Sequence, residues 1–386
     1  MGVACVTERR VSRVGKLAEL LSQPTAQEVE ESTSFDNQGN YVQSRVLAKQ
    51  PATPREVLET FGHDPERFVL DGPATVTHRE MVDGRVVSTY RYRLLEIAQP
   101  LPIDDLVSQV RKAKKSREIP AGGSHWFVFQ AGDLQIGKRS RDGSTEEIVT
   151  FFLESVDRAV AEFKRLKRDF PIAGVQLSFP GDCLEGNVSQ NGKNFWLTEQ
   201  TVPEQTRIFR RLLLHTVEKF APLAAEVFLD VVNGNHDQAQ RDQNTFPGDG
   251  WATECAIAVD DALKMNPDAF SHVTVRVPDK WSGHMTVPVG DSVVTVAHGH
   301  QWRRDQGMKW WSDQAFNKQF PSHADLLQHG HIHTYEVETT RDRTRVSCPT
   351  FDCGSDWFRE VRGGDSKRGG LVYLLAGGEV SRLSVV

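Results

Sequence analysis

Past residue 124 the apolar positions fall into two alternating rhythms. Residues 126–130, 172–179 and 226–232 are short runs rich in β-branched and aromatic side chains, the pattern of buried strands. Between them, residues 146–167 and 204–220 carry apolar residues at helical spacing. In the first of these Ile148, Phe152, Val156, Ala159, Val160 and Phe163 share one face. Strand and helix in alternation predict a layered α/β sheet. From Val273 strands dominate, at 273–277, 284–289, 292–297, 325–328, 335–340, 345–349, 370–375 and 379–385, with one helix near 306–320. This second half reads as the other sheet of a two-sheet sandwich.

The first 120 residues follow a different pattern. Residues 1–52 are poor in large apolar side chains and read as a loose or partly disordered segment. Thr53 fits a helix N-cap, Pro54 the first helical position, and Val57, Leu58 and Phe61 one face of that helix. Two alternating runs, 74–81 and 85–94, flank Val82-Asp83-Gly84, a hairpin signal. Residues 103–115 read as a helix running into a basic stretch, and Pro120-Ala121-Gly122-Gly123 marks a boundary. The expected organisation is a loose segment 1–52, a small α+β accessory domain 53–118 and a main domain 124–386. Helix plus ribbon suggests a winged-helix-like DNA-binding unit. A structural cap, or a contact for a homodimer or protein partner, is the alternative.

A net charge of −6 gives no overall attraction to nucleic acid or anionic membrane, so a phosphate-rich partner needs a local basic patch or bound cations. The five cysteines are scattered and odd in number, which argues against a disulfide framework and for a reducing cytoplasm. The N-terminus lacks the apolar core of a signal peptide, and Val6 breaks a myristoylation motif. No apolar run reaches membrane-spanning length, so no membrane association is expected.

The chemistry sits where strands end. Asp133-Leu134-Gln135, Gly181-Asp182, Asn235-His236-Asp237, His298-Gly299-His300 and Gly330-His331-Ile332-His333 each follow an expected strand. Singly, each has a plain reading as a turn or a surface histidine. Together they are explained by the convergence of strand ends on one crevice in an α/β sheet. Carboxylate, carboxamide and imidazole suit hard or borderline cations, and no cysteine is placed for a thiolate site. Asp182 is the candidate to bridge two ions.

In this order the motifs resemble the signature of the calcineurin-like metallophosphoesterases. Here that signature reads Asp133-Leu134-Gln135, Gly181-Asp182-Cys183-Leu184-Glu185, Gly234-Asn235-His236-Asp237, His298-Gly299-His300 and Gly330-His331-Ile332-His333. The resemblance covers residues 124–385. The form of the first motif is similar to the DNA double-strand-break-repair nuclease branch, and the extra domain ahead of the core to phage-encoded members, which would act in the host cytoplasm. The resemblance implies a four-layer αββα sandwich and two divalent ions, Mn2+ ahead of Mg2+, Fe2+ or Zn2+. One ion would be held by Asp133, Gln135, Asp182 and His333, the other by Asp182, Asn235, His298 and His331. A hydroxide held by the ions would attack phosphorus, His236 would protonate the leaving oxygen, and Asp237 would orient or charge His236. His300 would contact substrate. The departure is Gln135, where the family carries His, and it puts the first ion in question.

Trp302, Arg303, Arg304, Lys309, Trp310 and Trp311 interleave bases with indoles, suited to phosphates and unstacked bases, or else form an amphipathic helix with tryptophans in the core. Trp302, Arg303 and Arg304 join His300 as expected substrate contacts. Asp352, Trp357 and Phe358 are candidates for the cleft rim. The function expected is a metal-dependent phosphodiesterase acting on DNA. The alternatives are a small-molecule or cyclic-nucleotide phosphodiesterase or phosphomonoesterase, and a DNA-binding protein with a decayed site.

Overall fold

The computed structural model describes residues 32–36, 40–47, 49–81, 84–96, 106–116, 119, 120, 122–188, 192, 194, 198–240, 246–355, 358–360 and 363–386. Its contacts divide the chain into two units, 1–100 and 101–386.

In the first unit, β1 (Ser32–Phe35), β2 (Tyr41–Val46), β4 (Thr75–Glu80) and β5 (Val86–Tyr92) form an antiparallel sheet in the order β1-β2-β5-β4. A two-stranded pair joins β3 (Phe68–Leu70) to β6 (Leu94–Glu96). The helix α1 (Pro54–Thr60) starts as its sequence predicts. Thr53 accepts from the Glu56 amide at 3.2 Å, and Pro54 opens the first turn. Val57 packs with Tyr90 and Tyr92 in a small core. Two expectations change here. Ser32–Phe35 and Tyr41–Val46 are strands, not a loose segment: Tyr41–Val46 pairs with Val87–Tyr92 of β5, supplying backbone order that its polar side chains do not signal. The 74–94 ribbon is therefore half of a four-stranded sheet rather than a free wing. Val82 and Asp83 of its turn lie outside the described residues.

The second unit has four layers. One sheet runs β10-β9-β8-β7-β16-β17, built from β7 (His125–Gln130), β8 (Ile172–Pro180), β9 (Glu226–Val232), β10 (Val273–Arg276), β16 (Leu371–Ala376) and β17 (Glu379–Val385). The other runs β11-β12-β13-β15-β14, from β11 (His284–Val289), β12 (Ser292–Ala297), β13 (Leu326–His329), β14 (Glu336–Thr339) and β15 (Thr344–Ser347). Helices α3 (Thr145–Leu166), α4 (Val202–Phe220) and α5 (Trp251–Leu263) cover the first sheet, burying Phe152, Phe163, Phe209 and Val259 against Phe127, Phe129 and Leu177. A second core of Val128, Val294, Val296, Val346 and Tyr373 lies between the sheets. Helix α7 (Gly307–Phe316) buries Trp311 on the far face of the second sheet. This is the αββα sandwich expected.

Three details depart from the sequence reading. β10, β16 and β17 join the first sheet, not the second; β16 pairs antiparallel with β7, and its alternation could not name that partner. The helix α5 carries few large apolar residues and gave no clear periodic signal. The helix expected at 103–115 is α2 (Leu106–Lys112), and it packs on the second unit: Val110 is buried there, and Asn266 donates to the Val110 carbonyl at 2.9 Å. The accessory unit therefore stops nearer residue 100 than 118. Among the described residues no helix is long and apolar enough to cross a membrane.

Candidate metal centre

Six strand ends build the site. β7, β8 and β9 are parallel, as are β12, β13 and β15, so the carboxyl ends within each sheet lie along one edge. The residues just past them carry the strain. Asp133, Gln135, Asp182, His331 and His333 all have positive φ, between 47° and 70°. L-residues adopt that region at a cost, which surrounding structure must offset. Here backbone bonds offset it: the Asp133 amide donates to the Gly181 carbonyl at 3.0 Å and the Gln135 amide to the Asp182 carbonyl at 2.9 Å. The His331 amide donates to Asp133 Oδ2 at 2.8 Å, and the His236 amide to Asp182 Oδ1 at 2.8 Å.

Asp182, His298 and His331 converge, with one ligand atom from each lying within 4.8 Å of the others. The His298 Nδ1–H donates to the Pro180 carbonyl at 2.8 Å, which turns Nε2 toward Asp182 Oδ2, 3.0 Å away. Fixing a histidine through its other nitrogen is how a metal ligand is oriented. His331 Nδ1 lies 3.2 Å from that Nε2. Burial, with His298 beside it, brings the His331 imidazole down to about 4, so the ring is neutral. Burial opposes a charge on His298, but Asp182 outweighs it and pushes the ring up to about 9; the same contact holds Asp182 well below the usual carboxylate range. Asn235 Oδ1 here, and Asp133 Oδ1 at the other pole, are buried and lack a hydrogen-bond partner among the described residues. Buried oxygens are rarely left so. The orphaned Asn235 oxygen, a neutral His331 imidazole and an aimed His298 Nε2 fit a divalent cation held by Asp182, Asn235, His298 and His331.

The other pole is different. His333 Nε2 is 3.4 Å from Asp133 Oδ1, and its Nδ1 is 3.6 Å from Asp352 Oδ2. Gln135 Oε1 is occupied: it accepts from Lys138 Nζ at 2.6 Å, and Lys138 also pairs with Asp352. Burial opposes the lysine charge, yet Asp352, Glu185 and Asp133 hold its pKa above the usual value. Asp352 is held down to about 2, burial being outweighed by Lys138 and His333. Neither the role of Lys138 nor that of Asp352 was legible as such. The available signals were a lysine three residues after Gln135 and an acid following a strand.

His236 and Asp237 do not pair as expected. The Asp237 carboxylate accepts from the amides of Cys183 at 3.2 Å, Leu184 at 2.9 Å and Gly234 at 2.8 Å, so it clamps two strand-end loops together. Glu185 takes the place beside His236. Its carbonyl lies 3.1 Å and its carboxylate 3.3 Å from His236 Nδ1. Burial lowers the tendency of His236 to charge, but Asp182 and Glu185 push it up to about 10.

Gln135, Lys138, Asp182, Glu185, Asn235, His236, His331, His333 and Asp352 line a cavity of about 630 Å³, with Arg303, Arg304, Ile332, Ser355 and Phe358 around them. His300 is exposed, its ring centre 5.4 Å from that of His298, and it is not among the described lining residues. Arg304 reaches Glu336 at 3.2 Å. Trp302 touches the cavity, but its ring packs on Trp310 at 4.6 Å and is only 8% exposed. Trp311 is buried and donates to the Pro321 carbonyl at 2.6 Å. The indoles thus share one small core rather than a stacking platform: Trp311 is buried from α7, Trp302 from the segment before it, and Trp310 is partly buried against them. Asp352 and Phe358 line the cavity; Trp357 lies outside the described residues.

No family model and no curated protein matches the chain. Among solved structures, an archaeal phosphodiesterase is similar at 14% identity over 67% of this chain and 99% of that one, with a TM-score of 0.31. The E. coli phosphoesterase Yfce is similar at 12% identity over 67% of this chain and 99% of its own, with a TM-score of 0.29. Zinc-bound Vps29 from Entamoeba histolytica is similar at 13% identity over 67% and 98%, with a TM-score of 0.28.

Proposed function

We propose that the protein is a metal-dependent phosphodiesterase of the calcineurin-like type, with DNA as its substrate class. The observation that carries this reading is the convergence of Asp182, His298 and His331 beside His236, at a cavity that Asp182, His331 and His236 line. A divalent ion bound there would polarise phosphorus–oxygen bonds and make water more acidic. The chain's own residues do the rest. Asp182, Asn235, His298 and His331 present their donor atoms from four different strand ends. His236, protonated near neutral pH, gives its proton to the departing alkoxide oxygen. Glu185 holds the His236 ring by Nδ1, and Nε2 turns toward the Asp182 side of the cavity, 3.9 Å from Asp182 Oδ2. Arg303 and Arg304 at the cavity supply positive charge for a phosphate backbone, and Ile332 and Phe358 an apolar wall for a base or sugar.

The test is hydrolysis of bis-(p-nitrophenyl) phosphate and of linear, circular and single-stranded DNA with Mn2+. Both substrate types are expected to be cut. His236→Ala should lower turnover by about 10²–10⁴-fold while bound metal, measured by elemental analysis, stays constant. Cleavage of the small ester without DNA would redirect the substrate class to small or cyclic phosphodiesters. Folded protein that cuts neither and holds no metal would overturn the reading and favour a binding protein.

A further inference from the structure

We propose that Lys138 is a resident cation at the Asp133–Asp352 pole of the cavity, standing where a second divalent ion would otherwise sit. The inference rests on the metal-centre reading above. It follows that each chain holds one tightly bound ion, at the Asp182–His298–His331 pole.

Several observations point the same way. Lys138 Nζ donates to Gln135 Oε1 at 2.6 Å and pairs with Asp352, whose side chain is buried. Gln135 and Lys138 belong to one tight turn: the Lys138 amide donates to the Gln135 carbonyl at 3.0 Å, and Gln135 has a φ of 48°. The turn therefore brings the two side chains together whatever is bound nearby. The carboxamide is chemically matched to this use. Its oxygen accepts a proton bond from an ammonium readily, whereas it is a weaker donor to a transition metal than imidazole. Asp352 completes the fit, because it neutralises an otherwise buried ammonium and accepts from the Gly354 amide at 3.1 Å. An ammonium so placed repels a divalent ion at the same pole, and both compete for the same oxygen. At the opposite pole the partners of Asp182 are His236 and His298 and no lysine or arginine among the described residues, and the Asn235 oxygen is unclaimed. Lys138 lines the cavity alongside Gln135 and Asp182, so it is positioned to meet a phosphoryl oxygen with a charge that no chelator removes.

The test is metal stoichiometry on the full chain, by isothermal titration of metal-free protein with Mn2+ and by elemental analysis after gel filtration. Wild type is expected to bind one equivalent tightly and to show the six-line electron paramagnetic resonance signal of an isolated Mn2+. The double variant Gln135→His, Lys138→Met is expected to take up two and to show an exchange-coupled pair. Two tight equivalents in wild type would overturn the inference while leaving the metal centre intact. No equivalents would overturn both. A double variant that folds, by circular dichroism, yet still binds one ion would overturn it too. If the double variant does not fold, the wild-type count decides alone.

Discussion

His236 holds its ring between two acids, Glu185 at Nδ1 and Asp182 at 3.9 Å from Nε2. Both favour the imidazolium, so this group's proton is available at neutral pH and is lost only as pH rises through its raised value of about 10. A proton donor works below its pKa, so the alkaline limb of the kcat/KM profile should report His236. Glu185→Gln removes one of the two supporting charges. It should move that limb toward lower pH, by about one unit, in a pH–rate profile. Asp237→Asn should leave the limb in place. Instead it removes charge from a buried acceptor of three amides and should lower stability by about 2 kcal/mol, read by denaturant unfolding. The motif's acid at 237 was expected to serve His236. The order of residues shows that an acid adjoins the histidine, but adjacent positions in a turn point to different sides, and the pairing falls to Glu185, distant in sequence and close in space.

Elements place these groups by ending where they do. A parallel strand delivers its last residue to the sheet's carboxyl edge, and a sharp turn then swings the following side chain into the crevice. Gly234 shows how tight that turn is: a Cβ there would stand 2.0 Å from Asp182 Oδ1 and 2.4 Å from the Asp182 amide. Gly330 is as confined, with Asp133 Oδ2 at 2.4 Å from a would-be Cβ. Gly234→Ala should displace Asp182 from His298. The expected outcome is loss of tight Mn2+ binding together with a lower Tm, measured by calorimetry with and without metal. Retained binding would show that the loop relaxes without moving the carboxylate. Strand lengths and the long helices were legible because apolar periodicity runs through them. Sheet membership was not, since β16 and β17 alternate in the same way whichever partner they take.

At the scale of the molecule, polar residues tie the two sheets together. Gln328 donates to Tyr373 Oη at 2.7 Å and to Gln176 Oε1 at 2.9 Å, and Tyr373 donates to Gln130 Oε1 at 3.1 Å. A buried network in which each named group has a partner favours one register between sheets over its neighbours. The contact boundary after Pro100 and the packing of α2 give a prediction about truncation. Deleting 1–100 should leave hydrolysis of the small ester unchanged and weaken DNA cleavage, if the first unit contributes to DNA binding. Deleting 1–118 should also lower Tm, because Val110 leaves an apolar surface uncovered on the second unit. Equal Tm for the two truncations would show that α2 contributes no net stability. The sequence by itself determined the two-sheet sandwich and the five strand-end motifs, because periodicity and ligand-type residues are properties of neighbours along the chain. The tertiary structure alone decided which acid serves His236, that the tryptophans are core, and that Lys138 claims the Gln135 oxygen. Each of these is a contact across space, and the chain's order does not encode distance between residues that only folding brings together.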